Sequence, residues 1–182
     1  MAPSASRSRL YTPPNLLTLL RPACTGPFVL LCAQLHPTAL PLVRWGAGLL
    51  FLCIVASDLL DGWLARRLHQ ESTLGRTLDH VCDVLFILTA LGYFVTWSLV
   101  PWWLPVAIAW AFCLYVFDSW WSPVQQSQPT LRASRLGHLG GMLSYVAVGL
   151  VTGNLVAGTT LFPLHFLHVF FMLLALLALA SG

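Results

Sequence analysis

The chain reads as an all-α integral membrane protein with six transmembrane helices and both termini in the cytosol. Three observations predict this. Mean hydropathy is +0.79, with 58% hydrophobic and only 8% charged residues, which does not suit a soluble domain of 182 residues. The apolar residues gather into six runs, each close to the ~20 residues that cross a bilayer. The basic residues fall almost entirely between alternate runs, as the positive-inside bias requires.

The predicted spans are 16–35, 42–64, 76–97, 101–121, 136–156 and 160–180. The first follows an arm over 1–13 that is loose or interfacial. That arm is a poor signal peptide, because Arg21-Pro22 and Pro27 interrupt the apolar run behind it and no small-residue cleavage site follows cleanly. The second and third spans flank the short polar stretch from Arg66 to Gly75, which turns the two helices back to back. Trp102-Trp103 and Trp120-Trp121 bracket the fourth span. Trp102 and Trp120 stand eighteen positions apart, or about 27 Å of helix, close to one hydrocarbon thickness. Trp45 and Trp97 also fall at the outer boundary, whereas Trp110 lies mid-span and is read as packing. In the fifth span Asn154 and the glycines Gly137, Gly140, Gly141, Gly149 and Gly153 predict close helix packing. The sixth begins near His165 and His168, read as interfacial rather than metal-binding. Residues 14–182 therefore form one six-helix domain, with nothing left for a second.

All nine basic residues are arginine. Arg7, Arg9, Arg21, Arg66, Arg67, Arg76, Arg132 and Arg135 share one side in this topology, and Arg44 alone takes the other. The net charge of +3 is thus a consequence of topology, and no nucleic-acid partner is expected. Cys24, Cys32, Cys53, Cys82 and Cys113 form no CxxC pair and read as small hydrophobic side chains. The longest connection, 122–134, is rich in Pro, Gln and Ser and lies on the cytosolic side.

Five of the six carboxylates lie between Asp58 and Asp83. Ionised carboxylates in an apolar setting are costly unless paired or bound to a cation. Asp58 and Asp61 stand i and i+3 on the second helix, and Asp79 and Asp83 stand i and i+4 on the third, so each pair shares a face. Carboxylate oxygens suit hard divalent cations such as Mg²⁺ or Mn²⁺. Four of them match a two-metal centre better than a single ion, and two metals clamp a phosphoryl group during in-line displacement. Gly62 and Ala65 leave space for a ligand, and Arg66 is placed to meet phosphate oxygens. Two alternatives remain for the cluster. The aspartates pair with Arg66, Arg67 and Arg76 at the membrane interface, or they line an ion pathway.

Asp58, Asp61, Gly62, Ala65, Arg66, Gly75, Asp79 and Asp83 match all eight fixed positions of a signature, and its 26 residues resemble the CDP-alcohol phosphotransferase family. Pro14-Asn15-Leu16-Leu17-Thr18 resembles the start of that family's first span. The resemblance implies a membrane enzyme of phospholipid biosynthesis. It would move a phosphatidyl or phospho-alcohol group from a CDP-alcohol, above all CDP-diacylglycerol, to an acceptor hydroxyl and release CMP. It implies two divalent cations, Mg²⁺ or Mn²⁺, with Asp58, Asp61 and Asp79 on one and Asp58, Asp79 and Asp83 on the other. By the same resemblance Asp83 would double as general base, and Gly62, Arg66 and Ser72 would contact the CDP moiety, with Ala65 and Gly75 giving clearance and Asn15 and Thr18 nearby. Homodimeric assembly among membrane lipids follows from the same resemblance.

The acceptor is less defined. Position 84, which usually carries Lys in the family's phosphatidylglycerol-phosphate synthases and Arg in its inositol-phosphate enzymes, is Val84 here. Residues 78–83 look closer to ethanolamine and choline phosphotransferases. Phe117-Asp118 lacks the Arg that precedes an acid in many members, against an acceptor with its own phosphate. Asp118, Arg132, Arg135 and His138 are the candidate acceptor contacts. A divalent-cation transporter and a catalytically silent relative acting as a membrane partner stand as the alternative functions.

Overall fold

The computed structural model describes residues 13–36, 38–68, 73–121 and 135–181. Among them all regular structure is helical: α1 Pro13–Ala33, α2 Pro41–Arg67, α3 Thr73–Thr96, α4 Trp103–Trp121, α5 Arg135–Ala157 and α6 Leu164–Ser181. Each predicted apolar run forms one helix.

Local chemistry sets the ends. α1 and α2 each open on proline, whose missing N–H costs nothing in a first turn. α3 closes with Ser98 at φ 57°, a left-handed position usually given to glycine. There the Ser98 N–H donates to Val95 O at 2.9 Å and the Leu99 N–H to Phe94 O at 3.0 Å, so the last carbonyls of α3 are capped. α5 stops at Gly158, where φ is +65°. Asn154 then staples the α5–α6 turn. Its Nδ2 donates to Phe162 O at 3.1 Å and its Oδ1 accepts from the Phe162 N–H at 2.9 Å.

Around the bundle the packing order is α2, α1, α3, α4, α6, α5 and back to α2, and α3 also meets α5 across the middle. Among the described residues α2 and α3 share no extensive interface. This corrects the back-to-back arrangement expected from the short connection. α1 inserts between them and packs on both, and its Arg21 pairs with carboxylates of each. The core runs through Phe28, Phe51 and Phe86, with Phe28 and Phe86 centroids 5.6 Å apart. Phe86 stacks in turn on Tyr145 of α5 at 5.6 Å. Gly149 admits Phe51 so closely that a Cβ there would lie 3.0 Å from its ring.

The outer surface is apolar. Leu30, Leu42, Leu49, Leu52, Leu59 and Leu176 are all exposed, which water disfavours in a patch this large. Trp110 is exposed among them, a correction to its reading as a packing residue. Mid-span, an outward Trp has apolar surroundings without inward packing. Three stretches are long and apolar enough to cross a membrane, at Pro41–Leu64, Thr77–Thr96 and Leu139–Ala157. Leu17–Ala33, Trp103–Phe117 and Leu164–Ala180 are shorter apolar helices. At 27 residues, or about 40 Å, α2 outruns a ~30 Å hydrocarbon layer. Asp58 and Asp61 sit in its last three turns.

Candidate active site

Four helices converge in one half of the bundle. α2 contributes Asp58 and Asp61, and α3 contributes Asp79 and Asp83. α1 contributes Thr18 and Arg21, one turn apart, and α5 contributes Tyr145. The spacings i+3 and i+4 aim each pair of side chains from one face.

Arg21 lies at the centre with no exposed side-chain surface. Its Nη2 donates to Asp58 Oδ1 at 2.9 Å and to Asp61 Oδ2 at 3.1 Å. Its Nη1 donates to Asp79 Oδ1 at 2.9 Å and pairs with Asp83 Oδ1. One guanidinium thus contacts all four aspartates. The Thr18 hydroxyl adds a 2.9 Å hydrogen bond to Asp61 Oδ2. The Tyr145 hydroxyl donates to Asp83 Oδ1 at 2.6 Å.

The carboxylates lie in front of the arginine. Asp58, Asp79 and Asp83 side chains are 27%, 36% and 20% exposed, against 0% for Arg21. Asp61 is the buried member. Ligand oxygens of Asp58, Asp61 and Asp79 fall within 4.8 Å of one another. This group fits a divalent cation on two grounds. All its donors are carboxylate oxygens, the set that hard cations prefer. Four formal negative charges face one positive charge, so the arginine alone leaves the cluster anionic. His80 does not join it, because its ring turns to α4, 5.3 Å from Phe112 and 5.2 Å from Tyr115.

The structure therefore brings the four predicted metal ligands together and adds Arg21 and Tyr145, which the sequence reading did not place there. Arg21 carried a signal that could have found it. A charge several residues inside an apolar run needs a buried partner. Tyr145 carried none, being one more aromatic residue in an apolar span. The interfacial-pairing alternative named the wrong arginines for Arg67 at least, whose guanidinium lies 4.8 Å over the Trp63 ring. Gly62 follows Asp61 on α2, and Gly75 stands one turn before Asp79 on α3. Ser72 and Arg132 lie outside the described residues, as do the side chains of Asn15, Ala65, Arg66, Asp118, Arg135 and His138. A cavity of about 330 Å³, lined by His36, Arg44, Asn154 and apolar side chains, lies at the opposite end of the bundle.

Several curated proteins are similar. The cardiolipin synthase (CMP-forming) of Streptomyces coelicolor is 40% identical over 100 residues, 55% of this chain and 46% of that protein. The CDP-diacylglycerol–glycerol-3-phosphate 3-phosphatidyltransferase of Pseudomonas fluorescens is 38% identical over 81 residues, covering 43% and 38%. The protein of that name in Escherichia coli K12 is 35% identical over 96 residues, covering 53% and 50%. The chain spans about half the length of the curated relatives it matches, or less. None of these three names mentions ethanolamine or choline, toward which residues 78–83 leaned. Nor do the similarities support cation transport. The description of the CDP-alcohol phosphatidyltransferase family matches residues 11–180, nearly the whole chain, and the chain belongs to that family.

Proposed function

We propose that the chain is a metal-dependent membrane phosphatidyltransferase of phospholipid biosynthesis, with CDP-diacylglycerol as donor and a glycerol hydroxyl as acceptor. The observation that carries this reading is the convergence of all four motif aspartates in a chain matched to the family over residues 11–180. The relatives' names supply the acceptor class. Glycerol 3-phosphate appears in two of them, and cardiolipin is a glycerol bearing two phosphatidyl groups. Both acceptors carry a phosphate, and the missing Arg before Asp118 weighs less against phosphatidylglycerol, whose diester carries one charge, than against the monoester of glycerol 3-phosphate.

Bound at the aspartates, two divalent cations, Mg²⁺ or Mn²⁺, would supply charge neutralisation to the donor's diphosphate. The residues of the chain do the rest. Asp58, Asp61 and Asp79 are the ligands, with Asp83 completing the set. Gly62, Ala65 and Gly75 leave the backbone open to the CDP moiety, and Asn15, Thr18, Arg66 and Ser72 border it. The acceptor oxygen attacks the phosphorus that bears diacylglycerol. An O–P bond forms in line as the P–O bond to CMP breaks. The acceptor proton passes to Asp83. Asp83 Oδ1 is held by Arg21 and Tyr145, while Oδ2 has no hydrogen bond among the described residues, which supports its taking the proton.

The same reading gives one domain over 14–182 with an arm over 1–13. It has six spans, cytosolic termini and a cytosolic active site, supported by eight arginines on one side against Arg44 on the other. Asp118, Arg132, Arg135 and His138 are its acceptor contacts, and a homodimer its assembly. The test is CMP release by the full chain in detergent with CDP-diacylglycerol and Mn²⁺. Glycerol 3-phosphate, phosphatidylglycerol, serine and inositol are offered separately. Release with a glycerol acceptor alone is expected. Release only with serine or inositol would overturn the acceptor class.

A further inference from the structure

Arg21 divides its fork between two helices. Nη2 takes both carboxylates of α2, and Nη1 takes both carboxylates of α3. α2 and α3 share no extensive interface among the described residues, so their direct packing does not hold the two pairs at a defined gap. α1 packs on both helices and carries the arginine between them. The side chain is fully buried behind carboxylates that are open on their other side. Nη1 is also 3.4 Å from the Asp79 carbonyl oxygen. Displacing the guanidinium would mean unpacking α1, whereas a cation can approach from the open side.

We propose that Arg21 is a positioning residue of the metal site. Its two terminal nitrogens, one per helix, set the separation between Asp58/Asp61 and Asp79/Asp83 at which a divalent cation binds. The proposal rests on the metal-dependent reading above. It assigns the arginine a geometric role beyond supplying charge. A planar guanidinium spans two carboxylate pairs in a fixed geometry, and a single ammonium at the end of a flexible stem does not. It also places Arg21 behind the loaded site, as its floor, rather than as a stand-in that leaves when metal arrives.

The test is a Mn²⁺ titration of the detergent-purified full chain, read by the spectroscopic signal of free Mn²⁺, with thermal melting run beside it. Arg21→Lys keeps the charge and so limits the damage to folding, and Arg21→Met removes both charge and fork. The expected result is Mn²⁺ binding at least tenfold weaker in Arg21→Lys, in protein that still melts cooperatively. The Mn²⁺ concentration for half-maximal activity rises by a similar factor, while the donor KM at saturating Mn²⁺ stays within about twofold. Arg21→Met is weaker still. Wild-type affinity in a folded Arg21→Lys would show that charge suffices and overturn the proposal. Tighter binding in either variant would show that the arginine competes with the metal, and overturn it too. A wild-type chain that binds no Mn²⁺ would instead remove the functional reading underneath.

Discussion

The Tyr145 hydroxyl donates a 2.6 Å hydrogen bond to Asp83 Oδ1, joining α5 to α3 across 62 positions of sequence. The ring is stacked on Phe86, so the hydroxyl is fixed from below. Tyr145→Phe keeps the stack and removes only the donor. A hydrogen bond to a charged group contributes about 1.5–3 kcal/mol. Because it orients the proposed base, its loss is expected to lower kcat about tenfold or more. The donor KM should change far less. Steady-state CMP release measures both, and an unchanged kcat would detach Tyr145 from the chemistry.

Thr18 supports the most buried carboxylate. Its hydroxyl is the donor to Asp61 from the α1 side, beside Arg21. Thr18→Ala leaves that oxygen with Arg21 Nη2 alone and removes one hydrogen bond to a charged group, worth about 1.5–3 kcal/mol. The melting temperature is expected to fall by several degrees. Thr18→Ser, which keeps the hydroxyl, should melt close to wild type. Melting curves in one detergent compare the three proteins.

Gly149 and Gly92 give a paired test of the fold. A Cβ at Gly149 meets Phe51 at 3.0 and 3.1 Å, whereas one at Gly92 meets nothing within 4 Å. Gly149→Ala is therefore expected to destabilise by about 1–3 kcal/mol through overpacking of α2 on α5. Gly92→Ala should be neutral or raise the melting temperature, since alanine is the better helix former. Equal effects at the two positions would contradict the described α2–α5 contact.

The six helices were legible because each is an apolar run between polar or proline-bearing breaks, and hydropathy reports that directly. The carboxylate cluster was legible because Asp58, Asp61, Asp79 and Asp83 stand at helix-face spacings within one short segment. Packing order was not. Hydropathy says that α1 is apolar, not that it lies between α2 and α3. Arg21 was counted with the loop arginines because it sits near the start of a run. Its true partners, Asp58 to Asp83, are 37 to 62 positions away, on two other helices. Tyr145 meets Asp83 only through tertiary structure, and no local pattern marks such a pair. Trp110 shows the opposite failure, a mid-span aromatic assigned to packing that faces outward.

Substitution of a single proposed ligand tests the proposed metal centre apart from catalysis. Asp79→Asn removes one charge from the group formed with Asp58 and Asp61. Mn²⁺ affinity is expected to drop tenfold or more, with activity partly recovered at high Mn²⁺. Unaltered affinity would place the metal elsewhere.

The most direct measurement is CMP release from CDP-diacylglycerol by the wild-type chain and by Asp83→Asn, each with Mn²⁺ and after chelation. The account predicts release by wild type that stops on chelation and returns with Mn²⁺. It predicts release at least a hundredfold slower in Asp83→Asn, from folded protein that still binds the donor. Metal-independent release, or full activity in Asp83→Asn, would contradict it.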